Sequence, residues 1–198
     1  MEEIKSRRDF NRYVIEYAPA YKTGEVRQEL LVETAFMQNS YPTQEKTANS
    51  LIYDFLQSSQ FADIAEEYEL KPFTLAVQAP ERTLADKVFA LCDYMLEGRT
   101  ERQSRHIYDI SRLLTIVPLN EELKALVNRV RKERRGGVKA LSAEEGVDIP
   151  ALLKKMTEEE IFKSDYNRVT MLLLRTPVPY EQAIKALCAI IESGVFSE

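Results

Sequence analysis

One histidine and two cysteines in 198 residues are too few for a structural zinc site, which needs four closely spaced ligands. Cys92 and Cys188 each fall inside an apolar helical pattern, which reads as buried reduced thiols and not as a disulfide. There is no apolar run near the roughly 18 residues of a membrane span, and no secretory leader pattern opens the chain. The expected location is cytoplasmic. Internal repeats, low-complexity tracts and Pro/Ser-rich linkers are also lacking. A net charge of −5 argues against a general polyanion binder, though not against a local basic patch. At 44% hydrophobic and 30% charged, the composition is that of a globular protein able to bury a core, as one domain or two small ones.

The most informative stretch runs from residue 80 to 115. Leu84, Val88, Leu91, Cys92 and Met95 recur at helical spacing and predict a buried stripe. Pro80 precedes the helix, and Thr83 with Asp86 three residues on is a weak capping-box start. Lys87 lies off the stripe, in a row with Thr83 and Tyr94. A second helix follows, with Ile107, Ile110 and Leu114 inward and Arg102, Arg105, Asp109 and Arg112 in a charged row. A lysine row beside an Arg/Asp row can hold a phosphate. The same Arg105–Asp109 spacing also describes an ordinary surface ion pair.

Arg82-Thr83 with Lys87, followed by Arg105-His106-x-Tyr108-Asp109-Ile110 and Leu113-Leu114, resembles the AbiEii-type nucleotidyltransferases, toxins of bacterial type IV toxin–antitoxin (abortive infection) systems. Their pattern is an Arg-Thr-x-x-x-Lys helix followed by an Arg-x-x-Tyr-Asp-Leu helix. The resemblance implies nucleotidyl transfer from a nucleoside triphosphate to an acceptor. It gives Lys87 and Asp109 as catalytic, with Arg82, Thr83 and Arg105 toward the nucleotide. Tyr94 stands where many members carry another basic residue.

The first 80 residues are mixed. Residues 1–10 read as a short helix or loose lead-in. Tyr13, Ile15 and Tyr17 alternate with Val14 and Glu16 as a strand, residues 18–24 as a turn region, and Glu29–Phe36 as a second strand paired with the first. A helix is expected over Glu45–Gln57, a shorter one near Phe61–Tyr68, and a third strand over Phe73–Val77.

Glu33, between Val32 and Thr34, reads from the residues alone as a solvent-facing strand carboxylate. The resemblance offers another role: in this family two acids after a Gly-Gly or Gly-Ser turn join a third from a neighbouring strand to hold Mg²⁺. Glu33 matches that third acid. No Gly-Gly-Thr, Gly-Ser or Asp-x-Asp element occurs before it, and the only Gly-Gly is at 136–137. The expectation is that the family's N-terminal part lies outside this chain, which would be a truncated product, an inactive relative or one half of a split enzyme. Mg²⁺ is expected only where the missing carboxylates are supplied, since one carboxylate holds it poorly.

From residue 116 the pattern is helical. Asn120 before Glu121-Glu122 is a good cap, and Leu123, Leu126, Val127 and Val130 form a core stripe. Arg129, Arg131, Lys132, Arg134 and Arg135 could meet phosphate or merely end the helix. A short helix is expected after Pro150 and another from Thr157. Asp165-Tyr166, the loop Pro177–Tyr180 and a last helix with Ala183, Ile184, Leu187, Cys188 and Ile191, ending at Gly194, resemble the family's C-terminal pattern.

The reading is an α+β protein: a small antiparallel sheet, a partial nucleotidyltransferase palm, over 1–80, then a helical bundle over 81–198. Expected partners are a nucleoside triphosphate and RNA, an antitoxin or front-half chain, and a second copy. The alternative is a non-catalytic module binding RNA or a partner. Unpaired strand edges motivate the homodimer.

Overall fold

The computed structural model describes residues 2–7, 10–18, 29–35, 41–59, 61–137 and 139–197. The chain forms two compact units, Met1–Ser40 and Tyr41–Glu198. The fold is α+β, as expected, with two small antiparallel sheets.

The first unit is a three-stranded sheet of β1 (Glu2–Arg7), β2 (Phe10–Glu16) and β3 (Glu29–Ala35), in that spatial order. The alternating residues around Tyr13 pair as expected: β2 meets β3 in unbroken register from Phe10 opposite Ala35 to Glu16 opposite Glu29. The lead-in expected over 1–10 is instead strand β1, bulged between Glu3 and Lys5. Its charged sequence carries little strand signal; the edge of β2 supplies the pairing that local propensity does not. Val14 is buried, whereas Leu30 and Val32 are exposed. Phe36, and the expected turn beyond Ala18, lie outside the described residues.

The second unit begins with β4 (Thr43–Ala48), which pairs antiparallel with β5 (Phe73–Gln78). Helices α1 (Leu51–Gln57) and α2 (Ala62–Glu67) connect them. The helix expected from Glu45 therefore starts later. Ser50 Oγ accepts from the Tyr53 N–H at 3.0 Å and caps α1, while residues 45–48 find partners across the sheet in β5. The signal missed was the Asn49-Ser50 pair, a cap placed in the middle of an apparent helical pattern.

Helix α3 (Pro80–Leu96) packs against α4 (Arg105–Leu113), α5 (Glu121–Arg134) and α6 (Ile149–Glu158). Pro80 begins α3, so Thr83 is already inside its first turn and its hydroxyl donates to the Ala79 carbonyl at 3.1 Å. The Thr83–Asp86 capping box does not form, because proline at the first helical position sets the start earlier. Leu84, Val88, Leu91 and Cys92 are fully enclosed, together with Ile107 and Ile110 of α4 and Val127 and Val130 of α5. Asn120 caps α5 as expected, accepting from the Leu123 N–H at 3.0 Å.

Residues 157–160, expected to open a helix, close α6 instead: Thr157 and Glu158 are its last residues, and Glu160 at φ 49° turns the chain. Then α7 (Lys163–Asp165), a π turn (Tyr166–Thr170) and α8 (Met171–Leu173) run end to end. The last helical pattern is interrupted at Ile184 into α9 (Tyr180–Ala183) and α10 (Lys185–Ser193). Gly194 stops it at φ 68°, a left-handed turn that suits a residue without Cβ. Cys92 and Cys188 are both free thiols, but only Cys92 is buried as expected; Cys188 is partly exposed.

Candidate functional site

Helices α3 and α4 lie side by side with their apolar faces sealed in the core, so their outer faces share one surface. Lys87, one residue before buried Val88, extends from α3 and meets Asp109 of α4, Nζ donating to Oδ2 at 2.6 Å. The two side chains are 30% and 34% exposed. Asp109 thus pairs across helices with Lys87, not along its own helix with Arg105. Arg105, the first residue of α4, is exposed beside them.

Beneath this pair sits His106. Its ring stacks on Tyr94 of α3, centroids 5.5 Å apart and planes 17° from parallel, and Arg99 lies over the Tyr94 ring at 5.2 Å. His106 is buried, its Nδ1 is 4.0 Å from Asp109 Oδ2, and neither ring nitrogen has a hydrogen-bond partner among the described residues. Burial, then the neighbouring Lys87 and Arg105 cations, push the imidazole down to about 4 against the opposing pull of Asp109. The ring is neutral at neutral pH.

The start of α4 is fixed from a distance. Asp165 at the end of α7 accepts from the backbone N–H of Arg102 at 2.8 Å and of Ser104 at 3.2 Å. Burial raises the Asp165 carboxyl, but these donors and the Arg168 guanidinium outweigh it and leave the group below its ordinary value. Arg102 takes φ 60° to present its N–H, and the Ser104 hydroxyl pairs with that of Thr170 at 2.8 Å. An acid from a distant helix does the capping that Ser104 itself does not. The sequence marks His106 and Asp165 only faintly, the one by its place in the Arg105–Asp109 motif and the other by the Asp-Tyr pair.

Arg82 is deeply buried. Its guanidinium donates to Asp86 at 3.0 Å, to Glu133 at 2.7 Å and to the Tyr41 carbonyl at 3.0 Å. Asp86 also accepts from Gln78 at 2.6 Å. Arg134 of α5 reaches Asp93 at 2.8 Å, whose other oxygen takes the Ser142 N–H at 2.7 Å. This charged layer ties α3 to α5 and to the entry of β4. Arg131 is buried as well, one Nη donating to the Phe196 carbonyl at 3.2 Å. Of the five cations at the end of α5, Arg129, Lys132 and Arg135 are the exposed ones.

Glu33 lies in the other unit, on β3. Its carboxylate faces solvent and pairs across the strands with Arg12, at 2.7 Å from Nε and 2.5 Å from Nη2.

The protein is of the α+β class, with a lysine–carboxylate pair presented across two adjacent helices of its helical half. The family model described as "Nucleotidyl transferase AbiEii toxin, Type IV TA system" matches residues 1–189, and the chain belongs to this family. No curated protein and no solved structure matches the chain. No described helix is long and apolar enough to cross a membrane.

Nucleotidyl transfer implies a divalent cation. The described residues do not fit one: Glu33 is a single carboxylate already neutralised by Arg12, and no group of three His, Cys, Asp or Glu side chains among them is placed to hold a metal.

Proposed function

We propose that the α3–α4 surface is the nucleotide-facing half of a nucleotidyltransferase site. The carrying observation is the Lys87–Asp109 contact at 2.6 Å, half-open to solvent. An ammonium held by a carboxylate at a shared surface is aimed yet displaceable, which suits capture of a phosphate. Arg105 adds charge beside it. Arg82 and Thr83 serve by fixing α3, since both are engaged with protein groups. Catalysis needs Mg²⁺ held by several carboxylates, which the described residues do not bring together, so the α3–α4 surface by itself is expected to bind nucleotide weakly.

Calorimetry with magnesium ATP, CTP, GTP and UTP tests this. The expected result is roughly millimolar dissociation constants, lost in Lys87→Ala. Binding indifferent to Lys87 and Asp109 removes the site. Micromolar affinity that disappears in Glu33→Ala would instead mean a complete metal centre.

The second reading is a partner-binding module, and a specific observation favours it. Leu51, Ile52 and Phe55 of α1, Phe73 of β5 and Tyr68 are all exposed, and exposed apolar side chains that cluster mark interaction surfaces. It favours a protein partner over RNA: an antitoxin or a chain supplying the rest of the palm. A second copy pairing along β3, an edge strand with Leu30 and Val32 exposed, is the other candidate. Sedimentation at micromolar concentration separates a dimer from a 22.9 kDa monomer.

A further inference from the structure

Among the described residues beside the Lys87–Asp109 pair, the imidazole of His106 is a buried titratable group that the proposed site leaves without a task. A buried ring with both nitrogens unpartnered is unusual, because buried polar atoms are nearly always hydrogen-bonded. It is also held in place: Tyr94 stacks on its face, and its Nδ1 lies 4.0 Å from the carboxylate oxygen that Lys87 occupies. A closure of about 1 Å would make that approach a hydrogen bond.

Asp109 has a matching need. If Lys87 turns toward a phosphate, it leaves behind a half-buried carboxylate stripped of its cation, which is unfavourable without a new donor. We propose that His106 is the second partner of Asp109: when Lys87 leaves for an anionic ligand, the imidazole Nδ1–H donates to the released carboxylate and holds it in place. No proton changes owner. The neutral ring keeps its hydrogen, and Asp109 stays ionised and oriented toward the space Lys87 vacated. His106 is thereby a positioning residue acting through Asp109. The inference rests on the reading that Lys87 receives the ligand, but the exchange itself can be provoked without one.

The chain has a single histidine, so its ring signals report this position alone. Nuclear magnetic resonance of the full chain, labelled with ¹⁵N in the imidazole, compares the wild type with Lys87→Met. Removing the ammonium should bring up a downfield, slowly exchanging Nδ1 proton, and adding Asp109→Ala on that background should abolish it. Lys87→Leu, which also lacks a donor, is the second variant and should give the same signal where the methionine side chain perturbs folding. An imidazole spectrum unchanged by loss of Lys87, or changed equally with Asp109 absent, overturns the proposal. Magnesium ATP added to the wild type is the further arm, and should produce the same Nδ1 signal. ATP that binds in calorimetry without moving His106 overturns the partner exchange and leaves the proposed function standing. ATP that does not bind counts against the proposed function, and the Lys87→Met spectrum then decides the exchange.

Discussion

Lys87 and Asp109 join two helices through one contact of 2.6 Å, at a place where roughly a third of each side chain meets water. Pairs so exposed contribute about 0.5–1 kcal/mol at most. Lys87→Ala and Asp109→Ala are therefore expected to unfold within a few degrees of the wild type in thermal melts, while Lys87→Ala loses at least tenfold in magnesium ATP binding. A melt lowered as far as by a core cavity would make the pair structural.

Asp165→Ala should be far more damaging than its place in a short helix suggests. Two backbone N–H groups at the start of α4 would lose their acceptor, that of Ser104 in a buried setting and that of Arg102 in a partly buried one. We expect a loss of about 2–4 kcal/mol in urea unfolding, and weakened hydrogen-exchange protection concentrated in residues 105–113. A loss below about 0.5 kcal/mol would mean that Ser104 and water replace the carboxylate without cost.

Buried and exposed ion pairs make opposite predictions. Arg82→Met leaves Asp86 and Glu133 short of a buried partner and should destabilise by about 3 kcal/mol. Glu33→Gln removes half of an exposed cross-strand pair and should stay within about 0.5–1 kcal/mol of the wild type. Denaturant midpoints at equal slope measure both.

The pH dependence follows from His106. Its folded-state value near 4 lies below the ordinary 6.5, so the unfolded chain takes up the proton first as pH falls. The stability associated with the neutral ring is whole above about pH 6.5 and is lost on the way down to about pH 4, on the order of 3 kcal/mol. His106→Phe keeps a ring against Tyr94 but has nothing to titrate. Its stability should fall less steeply than the wild type's across that window, and equal slopes would contradict the burial of the imidazole.

The helical core could be read from the sequence because its stripes repeat at a helical period and their central residues, such as Leu84, Val88 and Leu91, bury completely. The Lys87–Asp109 surface was legible through motif spacing, and the position of Glu33 on a paired strand through alternation. What escaped was decided by partners remote in sequence. Strand β1 exists because β2 offers an edge, and residues 45–48 are strand because β5 lies opposite. Arg82 resembles a ligand-facing charge until Glu133 and the Tyr41 carbonyl close around it. The acidic run at 157–160 looked like a helix start, yet acids near an end carry no direction without the cap that only the folded chain reveals.

The inward turn of Arg131 and Arg134 has a consequence for polyanions. A nucleic acid displaces condensed counterions in proportion to the cations it meets, and at the end of α5 only Arg129, Lys132 and Arg135 face outward. With about three contacts to a single strand, the logarithm of any association constant through this helix end would fall against the logarithm of salt concentration with a slope of about −2. Such binding would depend only mildly on ionic strength and discriminate little between sequences, so a steeper slope would have to come from cations elsewhere in the chain.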